Sequence, residues 1–502
     1  MVCIRCQKRP AIIFIQRMDN GQMKQEGYCL HCARELHIKP VDDLMKQFGM
    51  SDQDLDNMEN RMESMMDEIG NVIIRKPATK GMEDRMGIIL QAHVDMVPQK
   101  NADVEHDFQK DPIKTRVVGD LVYATGTTLG ADNGLGCAVA MSVLEDKELV
   151  HGPIEVLITI DEETGMTGAR ALKPGLLKGD ILVNLDSETE GELYVGCAGG
   201  LDASATIKYK TEAVAKDNKT AVLTCNGMVG GHSGMDINLY RANANKVIAR
   251  VLLPLLRDCG AQLISIEGGN MRNAIPREAV AQVAIPAAKM AKAKKVIAQK
   301  LAELKTEYAA TDKDLNIELK EEKITAKAID SATALNVVKA LYVCPNGVER
   351  MSNAMPGLVE TSNNMAIVKS GDGKVMVHSL MRSSVDSAKD DLAEKMRCAF
   401  ELAGGKVTFS GGYSGWAPNM DSPILKEMKK VYKSLFKKEP AVMAIHAGLE
   451  CGILGGTYPN WDMVSCGPTI FSPHSPDERV NIESVEKWWK FVKEVLKEAP
   501  KK

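Results

Sequence analysis

The sequence predicts an α/β protein that carries an inserted α+β domain and is preceded by a small cysteine-bearing module. Three observations lead there. Short aliphatic runs, such as Ile88-Ile-Leu90, Ile154-Glu-Val-Leu-Ile-Thr-Ile160 and Ile181-Leu-Val-Asn-Leu185, read as strands of a largely buried sheet, and helical stretches alternate with them. Between residues 201 and 410 the strands take on polar alternation and are followed by long amphipathic helices. That order suggests antiparallel sheet with helices on one face. Finally, two Cys-x-x-Cys pairs fall within the first 32 residues.

Taken in order, residues 1–40 hold Cys3, Cys6, Cys29 and Cys32, with 22 residues between the pairs. This spacing fits one structural zinc ion held tetrahedrally by four thiolates. Asn20-Gly21 between the pairs is a hairpin turn signal. Residues 41–67 read as a helical linker, because Leu55, Met58, Met62 and Met65 recur at three- and four-residue steps. The buried-sheet texture occupies 68–200, with a helix expected over Gly134–Glu145. The insertion over 201–410 contains strands such as Ala203–Tyr209 and Val375–Leu380 and helices near 286–308 and 386–403. Strand–helix units open both its first and its last third, which reads as a duplication. The first sheet is expected to resume over 411–502, where the last helix places Val485, Trp488, Trp489, Val492, Val495 and Leu496 on one face.

Composition narrows the function. The 502 residues are 44% hydrophobic and 26% charged, with a net charge of −4 and no long basic run, so neither nucleic acid nor an anionic membrane is favoured as a partner. No stretch approaches the ~18 apolar residues of a membrane span. The first residues, Met-Val-Cys-Ile-Arg-Cys, lack the features of a signal peptide, which points to the cytoplasm. The eight cysteines from Cys137 to Cys466 are scattered and read as buried thiols of a reducing compartment.

The chemistry gathers at strand ends. His93-Val-Asp95 closes one strand, Asp161-Glu162-Glu163 follows another, and Asn184-Leu-Asp186-Ser-Glu188 a third. Gly130-Ala-Asp132-Asn-Gly134 forms a glycine-rich loop, and Ser472-Pro-His474-Ser-Pro-Asp-Glu-Arg479 lies near the C-terminus. Each motif alone is weak, since turns and caps commonly carry Asp and Glu. Together they supply two imidazoles and three carboxylates where α/β sheets bind ligands, with Glu162 left over as a base. That is the inventory of a two-metal hydrolase.

These motifs resemble the aminoacyl-histidine dipeptidase family of co-catalytic zinc peptidases, and the resemblance covers residues 68–500. It implies a mixed-sheet, zinc-aminopeptidase-like catalytic domain with a ferredoxin-like, duplicated lid, beside the zinc-ribbon-like N-terminal module. His93 and Asp186 would hold one zinc, Glu163 and His474 the other, and Asp132 would bridge them, with Mn²⁺ or Co²⁺ as alternative ions. A cis peptide bond is implied between Asp132 and Asn133. Asp95 would hydrogen-bond the far nitrogen of His93 and fix its tautomer. Glu162 would take a proton from a metal-bridging water and deliver it to the leaving amine. Alternation along an extended segment would point Glu162 and Glu163 in different directions.

The resemblance also implies how a dipeptide is held. Arg382 would grip the free carboxylate through two parallel hydrogen bonds. His232 would polarise the scissile carbonyl and reach across a homodimer interface formed by the lid. Asn273 and the Gly448 backbone would approach the substrate. Residues 1–65 resemble instead the N-terminal extension of some bacterial Clp-type unfoldase subunits, which suggests a protein partner. Dipeptidase relatives carry a helix, a strand and a further helix before the point matching Glu68; the module replaces them, so one flank of the sheet is expected to lack its cover. Two other functions compete: an N-acyl amino-acid deacylase with the same metals, and a catalytically impaired fusion that acts as a zinc-module adaptor.

Overall fold

The computed structural model describes residues 4–5, 13–19, 22–28, 30–36 and 63–502. Its N-terminal part is a hairpin of Ile13–Asp19 and Gln22–Tyr28, paired antiparallel with Asp19 opposite Gln22, followed by the short helix Leu30–Glu35. Asn20-Gly21, where the turn signal lies, falls outside the described residues. Cys3, Cys6 and Cys29 lie outside the described residues; Cys32 is buried. Most of the 41–67 linker is likewise outside them. Its last residues depart from the helical expectation, because Glu63–Met66 is a strand pairing antiparallel with Val72–Lys76. There the sheet edge supplies backbone partners, and they outweigh local methionine spacing.

The chain clusters into two units. The first comprises residues 1–194, 421–443 and 457–502, and the second 195–420 and 444–456. The second unit thus begins before residue 201, runs past 410 and includes a further piece around His446.

In the first unit, strands Ile181–Asn184, Ile88–His93 and Ile154–Thr159 lie side by side and parallel. Asp462–Ser465 joins in parallel beyond Ile181–Asn184, and Val72–Lys76 pairs antiparallel with Ile154–Thr159. Ile88 through Ala92 are buried on both faces of the sheet, as are Ile154, Val156, Ile181, Leu182 and Val183, which is why these segments read as continuous aliphatic runs. Helix Ala131–Glu145 begins irregularly, with Asp132 and Asn133 outside helical geometry. In the last helix, Ile482–Lys497, the buried face is Ser484, Trp488, Phe491, Val492, Val495 and Leu496. Val485 and Trp489, expected on that face, are instead half-buried and line an apolar groove of about 720 Å³ with Leu135, Ala138 and Val139.

In the second unit one antiparallel sheet of nine strands carries helices Ala244–Cys259, Met290–Glu307, Ser331–Val343 and Asp386–Glu401. Alternate strand residues such as Ala221, Leu223, Cys225, Val375 and Val377 join Ile248, Leu252, Leu304, Leu341 and Phe400 of the helices in one core. The fold is therefore the α/β catalytic sheet and α+β lid expected from the sequence. No described helix is long and apolar enough to cross a membrane.

Candidate active site

Four of the sequence-predicted residues sit at the carboxyl ends of three adjacent parallel strands. His93 is the last residue of Ile88–His93; Glu162 and Glu163 lie just after Ile154–Thr159; Asp186 lies just after Ile181–Asn184. Asp132 comes from the loop that opens the following helix. His474 comes from the loop between the short strands Ile470–Phe471 and Arg479–Asn481, which the strand Leu121–Ala124 holds in an antiparallel sheet. The peptide bond between Asp132 and Asn133 is cis, as the family resemblance implied.

The side chains converge. His93 Nε2 lies 3.2 Å from Asp132 Oδ1 and 3.1 Å from Asp186 Oδ1. His474 Nε2 lies 3.0 Å from Asp132 Oδ2 and 3.1 Å from Glu163 Oε1. Two ligand triads, His93–Asp132–Asp186 and Asp132–Glu163–His474, therefore share Asp132, one oxygen to each. The fit to a pair of cations is tested by two buried oxygens. Asp186 Oδ1 and Glu163 Oε1 are within contact of an imidazole nitrogen yet form no hydrogen bond of acceptable geometry. The ligand atoms of each triad lie within 4.8 Å of one another, close enough to share one ion.

Electrostatics agree with that reading. Burial pushes the Asp186 carboxyl up to about 6, against the attraction of His93. Burial, with Asp132 and Asp186 nearby, pushes Glu188 up to about 7. His474 is raised to about 10 by its hydrogen bond to Asp132 and by the Glu163 carboxylate beside it. Burial opposes the His93 imidazolium, but Asp186, Asp132 and Asp95 together raise its pKa. A buried cluster with this surplus of carboxylates is costly unless cations enter it.

Asp95 meets the far nitrogen of His93: Nδ1 lies 3.0 Å from the Asp95 backbone carbonyl and 3.4 Å from its carboxylate. That carboxylate accepts the backbone N–H groups of both Glu162 and Glu163 at 3.1 Å each, so Asp95 fixes the imidazole with its main chain and the glutamates with its side chain. Burial works against the Asp95 carboxylate, yet His93 and those N–H groups hold its pKa down at about 2. One expectation needs correction: residues 161–165 are not extended. Asp161 has φ 57° and a turn follows, so strand alternation does not separate Glu162 from Glu163. The turn is tied by Asp161 to the hydroxyls of Thr164 and Thr167. Glu162 lies close enough to His93 and Glu163 to share a cluster with them.

Sequence reasoning missed Glu478, although it stands inside the quoted Asp477-Glu-Arg479 motif. Its buried carboxylate accepts four successive backbone N–H groups, those of Leu129 at 2.7 Å, Gly130 at 3.0 Å, Ala131 at 2.8 Å and Asp132 at 3.3 Å. It ties the loop bearing Asp132 to the loop bearing His474. Gly130, at φ 72°, supplies the left-handed turn that aims these amides at one point. Nothing in one sequence signals such a nest, because every partner is main chain.

In the second unit Arg382 is 6% exposed, and its Nε has no hydrogen-bond partner. Across the sheet it stands in register with Ser362 on one side and Gly200 on the other. His446 is also buried and bonds the Ser362 hydroxyl through Nε2 at 2.7 Å; burial and Arg382 push its pKa down to about 3, so it is neutral. His232 accepts N–H groups of Gly234 and Met235 at its Nδ1, and burial with Arg382 lowers its pKa. Asn273 is exposed, and its carbonyl accepts the Ser233 N–H at 2.8 Å. A Cβ on Gly234 would come 3.1 Å from the His232 ring and 3.3 Å from Arg382 Nε, so this turn brings both side chains together. The result is a cationic site with an unpaired, buried guanidinium donor, which suits a carboxylate.

The chain is similar to known proteins. Residues 89–498 match peptidase family M20/M25/M40. The cytosol non-specific dipeptidase of Escherichia coli (strain K12) is 47% identical over 436 residues, 87% of this chain and 90% of that protein. The crystal structure of aminoacylhistidine dipeptidase from Vibrio alginolyticus has a TM-score of 0.86 to this chain at 46% identity, covering 89% of this chain and 91% of that one.

Proposed function

The chain belongs to the M20/M25/M40 peptidase family and is a peptide hydrolase of the metallo-dipeptidase kind, and on that premise we propose the following site and mechanism. The single observation that carries the proposal is the pair of triads sharing Asp132, with Glu162 beside them. His93 and Asp186 would hold one ion and Glu163 and His474 the other, with Asp132 common to both triads. Two zinc ions there (or Mn²⁺ or Co²⁺) would supply Lewis acidity toward the scissile carbonyl and acidify water. Glu162 accepts the proton of the attacking water and passes it to the leaving amine nitrogen. Asp95 keeps Glu162 and Glu163 in place through their N–H groups. His232 donates to the carbonyl oxygen of the scissile bond, a role its lowered pKa fits if the neutral imidazole is the donor. Arg382 takes the free carboxylate, with Asn273 and the Gly448 backbone near it.

Around this core we place a homodimer formed through the lid, supported by the exposed Met235, Leu239 and Tyr240 beside His232. We place the enzyme in the cytoplasm, in line with the name of its Escherichia coli relative, a cytosol non-specific dipeptidase. A third, structural zinc on Cys3, Cys6, Cys29 and Cys32 rests on ligand spacing, and a protein partner for that module rests on its resemblance. The deacylase alternative has less support, because Arg382, His232 and Asn273 match the reading of dipeptide ends.

The test is hydrolysis by metal-loaded protein of a panel containing Xaa-His and other dipeptides, a tripeptide and N-acyl amino acids. Turnover of dipeptides with little on the others is expected. Turnover of N-acyl amino acids alone would favour the deacylase, and none at all would favour the adaptor.

A further inference from the structure

The sheet of the second unit places four residues in one row: Ser362, Arg382, Gly200 and Tyr413, each directly opposite the next. Residues opposite one another on adjacent strands present their side chains to the same face. Arg382 and Tyr413 are thus two strands apart, and Gly200 lies between them. A Cβ on Gly200 would come 2.5 Å from Tyr413 Cε1, so the phenol ring lies over the bare backbone of the middle strand. Crossing it, the phenol hydroxyl reaches the Arg382 guanidinium and is hydrogen-bonded to it. The same oxygen would stand 2.9 Å from a Cβ on Gly448. Tyr413 Oη therefore sits between the guanidinium and the Gly448 backbone, the two groups assigned above to the substrate carboxylate.

We propose that Tyr413 is a further carboxylate-binding and specificity residue: its oxygen accepts from Arg382, holding the guanidinium in plane, and its own proton goes to the substrate's terminal carboxylate. An oxygen that accepts from a guanidinium cannot donate to it, because arginine offers donors only. An arriving carboxylate is the strongest acceptor within reach of the Tyr413 O–H, and such a charge-assisted O–H···O⁻ bond is short and strong. Gly200 is then a specificity position at one remove, since it must lack a side chain for the ring to pass.

This inference rests on the dipeptidase reading, and the experiment separates the two. The holoenzyme, its Tyr413→Phe variant and its Gly200→Ala variant are assayed on Ala-Ala and on Ala-Ala amide. Tyr413→Phe should raise KM for Ala-Ala on the order of tenfold, the loss of one such hydrogen bond, with kcat changed less than about twofold and the amide unaffected. Gly200→Ala, which displaces the ring without removing the hydroxyl, should shift KM the same way. Wild-type discrimination between acid and amide with an unchanged KM in Tyr413→Phe overturns the inference and leaves the dipeptidase reading intact. So does an equal loss on acid and amide, which would make the ring structural. Equal wild-type rates on both substrates, or none on either, overturn the carboxylate reading itself and this inference with it.

Discussion

Replacing Glu478 with glutamine should weaken the proposed metal centre without touching any of its proposed ligands. The wild-type carboxylate offers two oxygens to four main-chain donors, Leu129 and Gly130 at one and Ala131 and Asp132 at the other. Glutamine keeps one oxygen and turns the other into an NH₂ group that confronts two N–H donors. Two buried donors lose their acceptor, at about 1–3 kcal/mol each, so a loss of about 2–6 kcal/mol is expected. For a unit of this size that corresponds to a fall of roughly 5–20 °C in its unfolding transition. The loop released is the one carrying Asp132, whose two oxygens face His93 and His474. Zinc affinity should therefore fall together with stability. Calorimetry in the presence of a chelator isolates the first effect, and competition against a chromophoric chelator measures the second. A metal-free Glu478→Gln protein that melts within about 1 °C of metal-free wild type, with unchanged zinc affinity, would show that water replaces the carboxylate and would refute the reasoning.

Four further outcomes follow from the site. Glu162→Gln should abolish turnover while zinc content measured by atomic absorption stays at the wild-type level; loss of an ion would make Glu162 a ligand, as its place in a cluster with His93 and Glu163 allows. His474→Ala should lower both metal occupancy and rate, and full occupancy would remove His474 from the centre. Arg382→Ala and amidation of the substrate should each cost about 1.5–3 kcal/mol in kcat/KM and little more when combined, because both remove one interaction; additive losses would make Arg382 structural. His446, held neutral with its pKa near 3, favours the unfolded state as acid is added, since the unfolded imidazole, with a pKa of about 6.5, binds the proton first. Its contribution to stability is present above about pH 6.5 and lost between there and pH 3, so a His446→Asn variant should show a flatter fall in melting temperature over that window than wild type.

The sequence carried what depends on local pattern and residue type. Continuous aliphatic runs announced strands buried on both faces, because in a parallel sheet neither face of Ile88–Leu90 or Ile181–Val183 meets water. Polar alternation announced the one-sided sheet of the lid. The ligand types at strand ends, and the motifs they form, carried the family and the proposed metal centre. What only the tertiary structure decided are the contacts in which main chain is the partner or the partner is remote. Met65 takes part in a strand because an open sheet edge was there to pair with it. Asp95 and Glu478 work by accepting amides, and any residue in those loops would offer the same amides, so residue identity is silent about the arrangement. Tyr413 meets Arg382 because sheet register aligns both with Gly200, more than 180 positions away in the chain. Register is fixed by the packing of the whole sheet, and no local run of residues encodes it.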